Sequence, residues 1–185
     1  TSGDLEREQK KSEELLLNIL PSSVAERLKH GETVIADRVE TASILFSDLV
    51  GFTTLSAGLS ADRLVVILND LFSRFDDLTE FYGVEKIKTI GDAYMAVAGI
   101  PTPVFDHADR CVNLARAMLD ALGEVNKVQN LNLKLRIGIN SGPVVAGVIG
   151  KRKFSYDLWG DAVNTAQRME SHGEPGQIQI SAETY

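Results

Sequence analysis

"KIKTIGDAYMAV", Lys86 to Val97, alternates apolar and polar residues on both sides of Gly91-Asp92. That pattern reads as two antiparallel strands joined by a tight turn. The hairpin carries Lys88 on a strand expected to be central and Asp92 in the turn, four residues on. Lysine is seldom wholly buried. Lys88 therefore either runs its stem past the strand to water or meets a specific partner, and the spacing leaves both readings open. Asp92 has a blander reading still, since aspartate is at home in such turns.

Upstream, "TASILFSDLVGF" predicts a buried strand at about Ala42–Phe46. Ser60 is placed to cap a helix whose apolar stripe is Leu64, Ile67, Leu68, Leu71, Phe72, Phe75 and Leu78, ending at Gly83. Downstream of the hairpin a second long helix is expected from about Asp106 to Val125. "LNLKLRIGINSG" and "PVVAGVIG" then read as two strands with Gly142 between them. A short strand near Ser155–Leu158, a helix at about Asp161–Glu170 and a last strand in "QIQIS" complete the order. Helices alternating with an antiparallel-rich sheet predict an α+β fold, a ferredoxin-like βαββαβ sandwich. Ahead of it, residues 1–37 form a charged helical lead-in with an apolar stripe at Leu15, Leu16, Leu17, Ile19, Leu20, Val24 and Leu28, broken at Pro21. That stripe suits a partner chain or the protein's own domain equally well.

The formal net charge of −7 excludes binding nucleic acid through an excess of lysine and arginine. An anionic ligand must be held by local cations, backbone amides or metal ions. A single cysteine, Cys111, rules out an intrachain disulfide, and its place on an amphipathic helix predicts a buried, inert thiol. His30, His107 and His172 lack zinc-ligand spacing. No apolar run approaches the length of a membrane span and no signal peptide opens the chain, so a cytoplasmic domain is expected.

Asp48 follows "ILF" at the end of a buried strand and precedes a glycine turn. A carboxylate there can hold a hard cation, and the backbone amides after it can face phosphate oxygens. A lone loop aspartate more often caps or turns the chain. Asp48 and Asp92 together, at the ends of neighbouring strands, are the carboxylate pair that a two-metal phosphoryl-transfer site needs. Asp157 lies beside Trp159-Gly160 at the mouth of a helix, where Asn164 and Arg168 fall on one face. A solvated helix face is the commoner reading of that pair.

In combination, "FSDLVGFT", "EKIKTIGDAYMAVAG", "RIGINSGPVVAGVIG" and "YDLWGDAVNTAQRM" resemble the class III nucleotidyl cyclases. The likeness is strongest to bacterial adenylate cyclases of the mycobacterial type, and it spans residues 38–185. "LLLNILPSSVAERLKHGE" is similar to the linker helix that precedes such domains. The resemblance implies that Asp48 and Asp92 bind two Mg²⁺ or Mn²⁺ ions and that the backbone at Leu49, Gly51, Phe52 and Thr53 meets the triphosphate. It implies that Lys88 and Asp157 select adenine, Asn164 orients the ribose and Arg168 stabilises the transition-state phosphate. In the family the metal aspartates come from one chain and the other four side chains from its partner, so a homodimer is implied.

The expected activity is conversion of ATP to cyclic AMP and pyrophosphate. The alternatives are a guanylate cyclase and a non-catalytic nucleotide-binding or dimerisation module. An upstream sensor or a membrane region in a longer parent protein is also implied. Two departures stand out. Pro143 occupies a position where some relatives carry arginine, and the chain stops at Tyr185, before the strand pair that bears a triphosphate-binding lysine in the family.

Overall fold

Two long strands form the spine of the fold. The computed structural model describes residues 1–185, apart from the side chains of Glu13, Leu16, Leu17 and Asn18. In it β1 (Ala36–Val50) pairs antiparallel with a strand over Lys134–Ile149. The latter was expected as two strands separated at Gly142, but it is continuous. Gly142 stays in register opposite Ala42, so the ladder carries the chain through a residue that weakens a strand locally. The Lys86–Val97 hairpin is present as β2 (Glu85–Ile90) and β3 (Ala93–Ala98), turning at Gly91 with φ 57°. With β4 (Lys134–Ile149), β5 (Ser155–Trp159) and β6 (Ile178–Ile180) the sheet runs β2-β3-β1-β4-β5, and β6 pairs parallel with β4. Lys88 was expected on a central strand. It is on the edge strand β2, because β3 and not β2 pairs with β1.

The helices are α1 (Ser2–Ile19), α2 (Ser22–Lys29), α3 (Phe52–Gly58), α4 (Ala61–Tyr82), α5 (His107–Gln129) and α6 (Asp161–Ser171). Ser60 caps α4 as expected, its Oγ accepting from the Arg63 N–H at 3.3 Å, and left-handed Gly83 ends it. α4 and α5 cover one face of the sheet. Leu71, Phe75, Leu114 and Met118 are fully buried there against Leu45, Tyr94, Ile137 and Ile139. Each such side chain contributes about 1.5–3 kcal/mol by leaving water. Cys111 lies in this layer, and burial pushes its thiol up to about 12, which keeps it inert at neutral pH.

The opposite face is covered by α6 and α2. Ala162, Val163 and Ala166 of α6 join Ile44, Phe46, Val97 and Leu158 in a second core, together with Leu20, Val24 and Ala25. The lead-in therefore divides at Pro21. α2 packs on its own domain and ties down through an Arg27–Asp37 ion pair, while Leu5, Leu15 and Ile19 of α1 are exposed. Leu16 and Leu17, expected on the same stripe, lie outside the described side chains. Among the described residues no helix is long and apolar enough to cross a membrane.

Gly138 lets α6 lie directly on β4, since a Cβ there would meet the backbone N of Glu170 at 2.1 Å. That contact brings the end of α6 down onto the carboxylate end of β1.

Glu85, half-buried on β2, has its carboxyl pushed up to about 7 by desolvation. A raised carboxyl pKa means that the folded chain binds more protons than the unfolded one between about pH 4.5 and 7. Glu85 therefore costs stability increasingly as pH rises through that window. Glu85→Gln is expected to flatten the fall in thermal midpoint across it and to stabilise the chain above pH 7. Parallel melting curves of the two proteins from pH 4.5 to 8.5 check this, and identical slopes would refute it.

Candidate functional site

The residues singled out in the sequence gather into two groups. The first forms where β1, β4, the hairpin turn and α6 meet. Asp48 and Arg136 are directly opposite one another on β1 and β4. Arg136 grips the carboxylate with both arms of its fork, Nε donating to Oδ1 at 3.1 Å and Nη2 to Oδ2 at 2.8 Å. The Arg136 Nη1 donates to the Ser171 carbonyl at 3.2 Å. Its Nε also lies 3.6 Å from Glu170 Oε1, too far for a hydrogen bond. Ser47 pairs with Tyr94, so Asp48 is one step closer to the turn bearing Asp92. The charge of Asp48 acts on the Asp92 carboxyl.

The electrostatics reflect this crowding. Burial raises the Asp48 carboxyl, but the bonds and charge of Arg136, with the Glu170 carboxyl close by, outweigh it, so Asp48 titrates below the usual carboxylate range. Burial and then the Asp48 carboxylate push Glu170 up to about 8. Burial raises Asp92 above its ordinary value, and the negative charge of Asp48 adds to the shift. Asp48 is thus the ionised member of a crowded acidic cluster that Arg136 neutralises.

Hard oxygen donors at Asp48 and Asp92 suit Mg²⁺ or Mn²⁺, which take one or two carboxylates and complete their shells with water and substrate phosphate. Among the described residues no three His, Cys, Asp or Glu side chains form a ready-made cage. The donor set fits metals that arrive with a phosphorylated ligand. Beside it, Gly51 turns the chain at φ 88°, and Phe52 and Thr53 open α3 with no side-chain cap on their first amides.

The second group lies across the curled sheet. Although β2 and β5 stand at opposite ends of the strand order, Lys88 Nζ donates to Asp157 Oδ2 at 2.7 Å. The register of β1 against β4 shifts between Val39 and Ala42, and that of β2 against β3 shifts between Lys86 and Lys88. Asp157 Oδ1 accepts from the Leu158 N–H at 2.8 Å. The ammonium keeps two further protons and the carboxylate keeps free lone pairs, so the pair presents both a donor and an acceptor to solvent. Asn164 and Arg168 are exposed on α6, with Arg168 Nη2 donating to Thr165 Oγ1 at 3.2 Å. Among the described residues no hydrogen bond or ion pair joins the second group to the first.

Sequence reading missed Arg136 and Glu170. Both had a signal. Arg136 alternates with Leu135 and Ile137, so it must project from the face opposite theirs. Glu170 continues the Ala162–Ala166 stripe by four residues and is buried with it, at 7% exposure.

Residues 34–185 match the adenylate and guanylate cyclase catalytic domain family. An adenylate cyclase of Mycobacterium tuberculosis is 47% identical over 182 residues, 98% of this chain and 41% of that protein. The soluble guanylate cyclase subunit beta-2 of Rattus norvegicus is 48% identical over 181 residues, 97% of this chain and 26% of that protein. The chain thus spans less than half the length of these curated relatives. Among solved structures, the catalytic core of a rhodopsin–guanylyl cyclase with converted specificity, in complex with ATPαS, superposes with a TM-score of 0.78 at 43% identity. The match covers 81% of this chain and 82% of that one.

Proposed function

Because this chain belongs to the adenylate and guanylate cyclase catalytic domain family, of the class III nucleotidyl cyclase fold, we propose that it is an adenylate cyclase. It would convert ATP to 3′,5′-cyclic AMP and pyrophosphate at sites shared between two copies of the chain. The observation that carries this reading is the Lys88–Asp157 pair. Adenine presents N1 as an acceptor and its N6 amine as a donor, which matches an ammonium beside a carboxylate. Guanine presents the reverse, an N1–H and an O6 acceptor.

In the proposed reaction the ribose 3′-oxygen bonds to the α-phosphorus. The bond from that phosphorus to the bridging oxygen breaks, pyrophosphate leaves, and the hydroxyl proton passes to solvent or substrate phosphate. Asp48 and Asp92 hold two Mg²⁺ or Mn²⁺ ions, which when bound sharpen the nucleophile and neutralise developing charge. The amides at Gly51, Phe52 and Thr53 face the triphosphate, and the Leu49 backbone borders it. Asn164 orients the ribose and Arg168 meets the phosphate as charge grows on it, the differential contact that accelerates a chemical step. Among the described residues nothing bonds Lys88, Asp157, Asn164 or Arg168 to the two aspartates of the same chain, which supports a site completed by a partner.

Residues 1–37 act as a linker that relays a signal from an upstream sensor or membrane region to a catalytic domain on the cytoplasmic side, residues 38–185. The relatives are divided between the two bases, and a guanylate cyclase is the second reading. Incubation with Mn²⁺ and either ATP or GTP, with the cyclic product resolved by chromatography, tests the proposal. Cyclic AMP in large excess is expected. Predominant cyclic GMP would replace this reading with the second, and no product from either would leave a non-catalytic module.

A further inference from the structure

Glu170 is the least comfortable group in the molecule. Its side chain is buried at 7% exposure, and Oε1 has no hydrogen-bond partner. A buried polar atom left unpaired is costly, and native structures keep few of them. The nearest cation is Arg136, whose Nε stops 3.6 Å short because it donates to Asp48 instead.

We propose that Arg136 is a stand-in cation for the metal site, seated on Asp48 while metal is absent and transferred to Glu170 Oε1 when metal takes Asp48. The inference rests on the assignment of Asp48 and Asp92 as metal ligands made above. Two parallel bonds from a guanidinium fork engage both carboxylate oxygens from one side. A metal held by Asp48 would need the same carboxylate oxygens, so the fork and the metal would compete for them. Arg136 need not travel far. Its Nη1 is anchored on the Ser171 carbonyl, and the short swing from Asp48 to Glu170 satisfies the orphaned Oε1.

The seat is built into the fold. Gly138, two residues along the same face of β4, lets the α6 backbone approach closely enough to put Glu170 and Ser171 over Arg136. Arg136 is a positioning residue here, acting on metal through Asp48. It balances the charge of Asp48 and can give that carboxylate up for Glu170.

The test is Mn²⁺ binding to the full chain, followed by electron paramagnetic resonance of free Mn²⁺ without turnover. Arg136→Met removes the competitor and is expected to tighten binding about tenfold, whereas Glu170→Met removes its second seat and weakens binding by about as much. Simple loss of nearby charge gives the same two signs, so the deciding variant is the double one. Once Arg136 is gone, Glu170→Met should change affinity little, whereas independent charge effects would add. Additive effects, or weaker binding in Arg136→Met, would overturn the proposal.

Should either variant fail to fold, the unmutated chain still decides. The Arg136 Nε–H resonance must shift as Mg²⁺ saturates the site, and an unmoved resonance with bound metal refutes the transfer. If Asp92→Asn leaves Mn²⁺ affinity unchanged, the metal ligands themselves are misassigned, which is a separate failure.

Discussion

A mixture of two inactive variants is expected to regain cyclase activity. In the proposed reaction Asp48→Ala removes one of the two carboxylates that would hold metal, and Arg168→Ala removes the cation that would meet the transition state. Each is expected to lower turnover by about 10³-fold or more while the fold survives. In a heterodimer of the two, one site receives both lesions. The other combines Asp48 from one chain with Arg168 from its partner and is intact. Free exchange of chains makes half the dimers mixed, with one good site in two, so activity should return to about a quarter of the unmutated level. Titration of one variant into the other at fixed total protein follows the recovery. Demonstrated heterodimers without activity would mean that each chain builds its own site. No hydrogen bond or ion pair joins Lys88, Asp157, Asn164 or Arg168 to the two aspartates among the described residues, which is the reason to expect recovery.

The second large effect is on base choice. Lys88→Glu with Asp157→Cys replaces a donor–acceptor pair by one suited to guanine and also removes the ion pair that holds the two sheet edges together. Sites built around specific hydrogen bonds discriminate by about 10⁴-fold against a ligand that leaves them unpaired. The double variant is therefore expected to lose ATP kcat/KM by two to four orders of magnitude on that scale. GTP turnover should rise by much less, because the shape of the pocket is unchanged. Comparable kcat/KM for ATP and GTP in the unmutated protein, or undiminished ATP selectivity in the variant, would return Lys88 to the role of an edge lysine reaching water. The position of β2 at the sheet edge makes that role a real competitor.

Local pattern alone determined a good deal. The apolar stripes of α4 and α5, the cap at Ser60, the stop at Gly83, the break at Pro21 and the Gly91-Asp92 turn were all readable, because each depends on residues within one or two turns of chain. The four motifs pointed to the cyclase family by their order and spacing. Periodicity assigns a residue to a face but does not say what lies opposite it.

That is where tertiary structure took over. Gly142 reads as a break between strands, yet its pairing with Ala42 in the long β1–β4 ladder keeps β4 continuous. Lys88 and Asp157, 69 residues apart, meet although their strands stand at opposite ends of the strand order. Arg136 becomes the partner of Asp48 through a cross-strand register set by the whole length of β1 against β4. Glu170 joins them because Gly138, having no Cβ, allows α6 to touch the strand. Pairing between distant segments is chosen by the total burial and hydrogen bonding of the finished sheet, a sum over contacts that no short window of sequence contains.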